Sequence, residues 1–292
     1  MYGYFTESNY RGAFPYTDLA CERHRADLSV RGVDYRRENG ICGVWERIRI
    51  SSAEGARSIG RPMGIYNTLH ISRMDMLDSE GIADASDEIA RELCYIFDAS
   101  DIFPERILVC GLGNPHLTPD SLGADSARAV KPTMHIRDFD RKMFDGLNCA
   151  EIAVFSPGVA ATSGMDASVA IRGLCQAIGP DAVIAIDALA ARSSARLGAT
   201  VQICNTGIAP GSGIGNPRSP ISKETVGVPV IAVGVPTVID SRMLCQRFDE
   251  DSPAELAEMA PMFVSPKEIN EIVSAAAQVI GGGINQAFGI FN

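Results

Sequence analysis

Only four histidines occur in the 292 residues. None of them, His24, His70, His116 or His135, lies in an H-E-x-x-H pattern or a His/Cys cluster with zinc spacing. No G-x-S-x-G elbow is present, and Ser193 has no local base, so a serine nucleophile is not supported. The nucleotide loop ending in Gly-Lys-Ser/Thr is missing, as is the dinucleotide fingerprint expected after the first buried strand. Long apolar runs are also missing: the longest are of strand length, which excludes a spanning helix. Met1 to Ala20 is polar and aromatic and has no signal core. The eight cysteines make no C-x-x-C pair, and buried free thiols in a reducing, cytoplasmic setting are expected. Positive charge is the scarcer sign. Lys and Arg number 26 against 36 Asp and Glu, for a net charge of −10 and a pI of about 4.9. Such a chain repels phosphate backbones, so no direct nucleic-acid contact is expected, while a basic protein substrate is electrostatically acceptable.

What is present is ordinary globular material, 46% hydrophobic and 21% charged, enough for one large α/β domain. Residues 1–16 read as an arm or removable segment. Residues 17–292 read as the domain, with a small subdomain compatible with the pattern around 30–75. Val44–Ile50 and Ile65–Ile71 have strand character, and residues 81–97 carry helical apolar spacing. Short apolar runs then alternate with helical ones: Arg106–Leu112, Glu151–Phe155, Asp181–Ile186, Val201–Cys204 and Val228–Val235 are the strands. That alternation predicts a three-layer αβα fold with a mainly parallel sheet.

Ligands of open parallel sheets bind beyond the carboxyl ends of the strands. The tips here are Gly111-Leu-Gly-Asn114-Pro-His116-Leu-Thr-Pro-Asp120, Ser156-Pro-Gly158, Asp187-Ala-Leu-Ala-Ala-Arg192, Asn205-Thr-Gly207 through Gly211-Ser-Gly213-Ile-Gly215, and Gly234-Val-Pro236-Thr237. Asp187 follows Asp181–Ile186 directly, where burial raises a carboxyl pKa. Taken singly, Asp187 reads equally well as a helix cap, and so does Asp120 at its Thr-Pro-Asp helix start. Together at one rim they make a pair able to share a proton. One then acts as base on water and the other as acid. Gly211 and Gly213 can offer backbone donors to a peptide or an oxyanion. Arg192 and Arg218 are candidates for an acidic substrate side chain. His116 lies beside the site and reads as a loop residue.

Six blocks in order carry a resemblance. They are Tyr16-Thr-Asp-Leu-Ala20, Leu117-Thr-Pro-Asp-Ser-Leu-Gly123, Phe155-Ser-Pro-Gly-Val159, Val183-Ile-Ala-Ile-Asp-Ala-Leu-Ala190 with Arg192-Ser193, Asn205-Thr-Gly207 through Asn216, and Val235-Pro-Thr-Val238. Together they resemble the germination (spore) proteases of endospore-forming bacteria over roughly residues 16–240. The resemblance implies an endopeptidase that starts the degradation of small acid-soluble spore proteins during germination, in the cytoplasm of the forespore or spore core. It also implies a zymogen, a homotetramer, catalytic Asp120 and Asp187, no cofactor, and a fold similar to hydrogenase-maturation endopeptidases. Three competing readings stand beside it. One is a metal-dependent maturation endopeptidase with Asp120, Asp187 and His116 as ligands, and another is a non-catalytic binding protein of the same fold. The third is suggested by Gly111-Leu-Gly-Asn-Pro115, which also resembles peptidyl-tRNA hydrolase, but nothing downstream follows and the acidic charge argues against tRNA. The family begins its first block with Arg where Tyr16 stands here. Glu7 in the arm suits self-cleavage.

Overall fold

The strands are the frame, and their burial explains their order. In β4 (Arg106–Gly111), Ile107 and Val109 face one layer while Leu108 and Cys110 face the other, all four buried. A strand covered on both faces reads as an unbroken apolar run, as this one does. The same holds for β6 (Ala182–Ala191) and β8 (Val230–Asp240). With β5 (Glu151–Phe155) these form the parallel half of a nine-stranded sheet. The computed structural model describes residues 17–24, 30–245 and 262–290. The N-terminal arm 1–16, and Glu7 within it, lie outside the described residues.

The other half of the sheet is antiparallel. It contains β1 (Val33–Asn39), β2 (Val44–Ile50), β3 (Gly64–His70) and β7 (Thr200–Cys204), in the order β1-β2-β3-β7-β8-β6-β4-β5. Thus the strands of the 30–75 stretch continue the same sheet. Val201–Cys204, read from sequence among the parallel strands, runs antiparallel to β8. The reason is the link before it. Only residues 192–199 separate β6 from β7, too few for the dozen or more that a parallel crossover needs. A two-residue strand, β9 (Phe263–Val264), pairs with the far end of β8.

Helices cover both faces. On one lie α2 (Ser79–Ala99), α3 (Leu122–Ala129) and the C-terminal helix, here α10 (Ile269–Ala287), around the largest apolar cluster. Asp78 caps α2, its carboxylate accepting from the Gly81 N–H at 2.9 Å. Gly281, Gly282 and Gly283 lie within α10. A Cβ at Gly281 would come within 2.4 Å of the Ala129 Cβ, and one at Gly283 within 2.7 Å of Ile89. These glycines let α10 lie directly on α3 and α2. On the opposite face, α7 (Ala167–Ile178) and α8 (Lys223–Val226) cover the parallel half. Leu19, Ala20 and α1 (Ala53–Ile59) cover the antiparallel half. The small helices α4 (Met134–Phe139), α5 (Arg141–Leu147), α6 (Ala160–Ser163) and α9 (Ser241–Cys245) complete the described chain. The seven described cysteines are free; Cys21, Cys110, Cys175 and Cys204 are buried as expected, whereas Cys42 and Cys149 are partly exposed and Cys94 is exposed.

Candidate active site

Two glycines bring the first acid to the second. Gly111 ends β4 and Gly123 lies in the first turn of α3. A Cβ on Gly111 would come within 2.1 Å of the Gly123 carbonyl oxygen, and one on Gly123 within 2.3 Å of the Ile186 carbonyl. With no side chain between them, α3 is pressed onto the ends of β4 and β6. Leu112 N–H donates to the Ile186 carbonyl at 2.8 Å, so the loop leaving β4 is tied next to Asp187.

Asp120 is not the helix cap that its Thr-Pro-Asp sequence suggested. It closes a short 3-10 turn, Thr118–Asp120, ahead of α3. Its carboxylate turns back and accepts from the Asn114 N–H at 2.9 Å. The turn is held from the side by Thr237 at the tip of β8, whose hydroxyl donates to the Pro119 carbonyl at 2.6 Å. Gly113, at a φ of +92°, passes so close to Asp120 that no Cβ would fit. Burial raises the Asp120 pKa above the usual carboxylate range, and the Asn114 N–H opposes that rise.

Asp187 is not a cap either. The strand does not stop at Ile186 but runs on to Ala191, with a register shift between Leu189 and Ala190. No helix follows for Asp187 to cap. The residue is 5% exposed, and its carboxylate accepts from the Ala188 N–H at 3.0 Å. Its pKa is raised well above the usual range. Burial is the main cause, followed by the negative charges of Asp120 and Asp18, with the Ala188 N–H opposing.

Both acids line a cleft of about 450 Å³. Its walls include Gly158 and Val159 from the tip of β5, Gly211, Gly213, Asn216 and Arg218 from the glycine-rich loop, and Thr237 from β8. Leu117 and Ile214, both exposed, give its rim apolar contact surface. Of the residues expected from sequence, Asp120, Asp187, Gly211, Gly213 and Arg218 meet at this cleft. Arg192 does not line it: the side chain is exposed, and its backbone N–H donates to Glu22 at 2.7 Å. His116 is also exposed and outside the lining.

Two residues, Asp18 and Asp166, went unnoticed as site elements, and Thr237, already read at the strand rim, has a supporting role. Asp18 lines the cleft from the N-terminal segment. Asp166 caps α7, accepting from Ser168 N–H at 2.9 Å. Burial would raise its pKa, but hydrogen bonds from Ser168 and from Ser219 of the glycine-rich loop bring it below the ordinary value. Thr237 supports Asp120. The sequence signal for Asp18 was available, since it is the acid of the Tyr16–Ala20 block.

A metal would need more donors than these. Among the described residues no group of three His, Cys, Asp or Glu side chains is arranged to hold one. With His116 outside the cleft, the acids present do not fit a metal centre of the maturation-endopeptidase kind. No helix of the described residues is long and apolar enough to cross a membrane.

A cleft beside the parallel strands, walled by glycine backbone and lined by Asp120 and Asp187, stands where α/β proteins commonly bind their ligands. The family model for the germination protease matches residues 18–247. The chain is 34% identical to a germination protease from Clostridium acetobutylicum, over 90% of this chain and 94% of that one. It is equally 34% identical to one from Caldanaerobacter subterraneus, over 93% of each. The chain belongs to the germination protease family and is a peptidase. A crystal structure of a NiFe hydrogenase maturation protease, HycI from Thermococcus kodakarensis, covers 65% of this chain and 96% of that one at 17% identity and a TM-score of 0.36. That likeness is too low to carry weight; the α/β assignment stands on the sheet and its two helical layers.

Proposed function

We propose that this chain is an endopeptidase of the aspartic type, in which Asp120 and Asp187 activate water against a peptide carbonyl. The observation that carries the reading is Asp187: a buried carboxyl with one hydrogen-bond donor, lining the same cleft as Asp120, its pKa raised by burial and by the charge of Asp120. Asp120 and Asp187 line one cleft and the charge of Asp120 acts on Asp187, so the pair titrates as a unit. The deeper Asp187 keeps the shared proton. Asp120, half-buried and bonded to the Asn114 N–H, carries the charge.

The steps follow. Asp120 takes a proton from water as its oxygen attacks the carbonyl carbon, while Asp187 gives its proton to the carbonyl oxygen. The resulting gem-diol collapses. Its hydroxyl proton returns to Asp187, the C–N bond breaks, and the proton on Asp120 passes to the leaving nitrogen. Backbone at Gly211 and Gly213 holds the peptide, and Arg218 meets an acidic side chain of the substrate.

The substrates are small acid-soluble spore proteins, cut at the start of spore germination in the cytoplasm of the spore core. An acidic enzyme accepts a basic stretch of a DNA-coating substrate and avoids the DNA itself. Family membership supports three further parts of the reading: synthesis as a zymogen with residues 1–16 as arm or propeptide, one peptidase domain over 17–292, and a homotetramer. Asp120→Asn and Asp187→Asn test the mechanism. Each should lower kcat/KM for a purified spore protein by about 10²–10⁴-fold while the circular dichroism spectrum stays that of the parent. Turnover close to the parent's in either variant contradicts the aspartate pair.

A further inference from the structure

The N-terminal segment does more than cover the sheet. Asp18 N–H donates to the Ala190 carbonyl at 2.9 Å, and Ala190 N–H donates back to Asp18 Oδ2 at 2.9 Å. The other oxygen, Oδ1, accepts from the Ser212 hydroxyl at 2.7 Å. One carboxylate therefore joins the end of β6, three residues past Asp187, to the glycine-rich loop. The fit leaves no slack at Gly213, where a Cβ would stand 2.0 Å from Asp18 Oδ2 and 2.7 Å from the Ala190 Cβ. Asp18 is itself fixed. Its carbonyl accepts from Gln202 Nε2 at 3.1 Å, and Gln202 Oε1 accepts from Ala20 N–H at 2.8 Å. Arg61 stands 3.8 Å away, and Leu19 and Ala20 are fully buried.

A second cavity, of about 550 Å³, lies on the other side of this joint. Asp18 and Leu189 line both cavities, and Ser212 lines the second. The joint is thus the wall between them, and the loop cannot shift without changing the volume and backbone directions of the cleft. A loop of four glycines between Gly207 and Gly215 has little stiffness of its own, so its position depends on what it is tied to. Asp166, bonded to Ser219, ties the other end.

We propose that Asp18 is a positioning residue for substrate binding: by bonding Ala190 and Ser212 together it sets the Gly211–Gly215 loop as the substrate-facing wall beside Asp187. The proposal rests on the cleft being the hydrolytic site. An alanine at 18 removes both acceptors, whereas an asparagine would keep both links, its amide donating to the Ser212 hydroxyl.

The test measures kcat and KM on a purified small acid-soluble spore protein for Asp18→Ala, Ser212→Ala and the double variant, with melting temperatures alongside. The expected result is KM raised at least fivefold in Asp18→Ala with a smaller change in kcat. Ser212→Ala should show a smaller rise of the same kind, and the double variant should be no worse than Asp18→Ala, because the Ser212 link is already lost there. If Asp18→Ala does not fold, Ser212→Ala decides, expected to raise KM in a folded enzyme. Parent values of KM in the folded variants, or losses that multiply in the double variant, overturn the proposal. A parent enzyme that leaves the spore protein intact overturns the hydrolytic reading first; an active parent beside an unaffected Asp18→Ala overturns the role of Asp18 alone.

Discussion

Glu88 and Asp187 are both buried carboxylates, and the fold treats them in opposite ways. Glu88 points from α2 into the hairpin between β1 and β2. It accepts from Ile41 N–H, Cys42 N–H, the Cys42 thiol and Trp45 Nε1–H, at 2.6 to 3.2 Å. Burial pushes its pKa up, but those donors win, and the pKa lies below the ordinary value. Asp187 has one backbone donor and two negative neighbours, and its pKa is driven up. Burial alone therefore does not mark a site. A carboxylate whose lone pairs are satisfied is a fastening; one left short of donors beside its own kind is available for proton transfer.

The contrast can be broken at either end. The largest effect belongs to Asp187→Asn, which should remove most of the activity and leave the fold. Glu88→Ala should do the reverse. With its donors unpaired, the variant is expected to lose roughly 1–3 kcal/mol of stability in chemical denaturation, while kcat/KM stays at the parent's value. A Glu88→Ala variant that is as stable as the parent, or one that is folded but inactive, breaks the contrast.

The smallest effect is in the pH dependence of stability, where the two residues should carry opposite signs. For Asp187 the folded pKa exceeds the unfolded one, near 3.9. The folded state then binds the extra proton, and its cost in stability grows as pH rises through that window. Asp187→Asn should melt above the parent at neutral and alkaline pH and converge with it toward about pH 4. Glu88, with its lowered pKa, contributes stability above its unfolded value, near 4.3, that is lost as pH falls through the folded pKa. Glu88→Gln should therefore flatten the acid side of the profile. Melting temperatures across pH for both variants check the two slopes together.

Much of this was readable in the residues, and the exceptions have causes. Strand positions such as Val44–Ile50 and Glu151–Phe155 follow from local apolar pattern, and they stand where that pattern puts them. The extents of β6 and β8 do not follow, because Asp187 and Gly234 look like ends when read locally. Only pairing across the sheet, Asp187 opposite Gly234, keeps both inside strands. The direction of β7 depends on a loop too short to cross over. Asp18 lies 169 positions before Asp187 (187 − 18), and no local signal links an N-terminal acid to a strand that distant. Arg192, next to the right motif, turns outward because its backbone is held by Glu22.

The most direct test of the central claim is the titration of the Asp187 carboxyl carbon by NMR in aspartate-labelled enzyme, with Asp120→Asn as reference. An aspartate pair sharing a proton predicts that Asp187 stays protonated well above the ordinary carboxyl value of about 3.9 and that its pKa falls when the Asp120 charge is removed. An Asp187 that titrates at or below the ordinary value, or whose pKa is indifferent to Asp120, contradicts it.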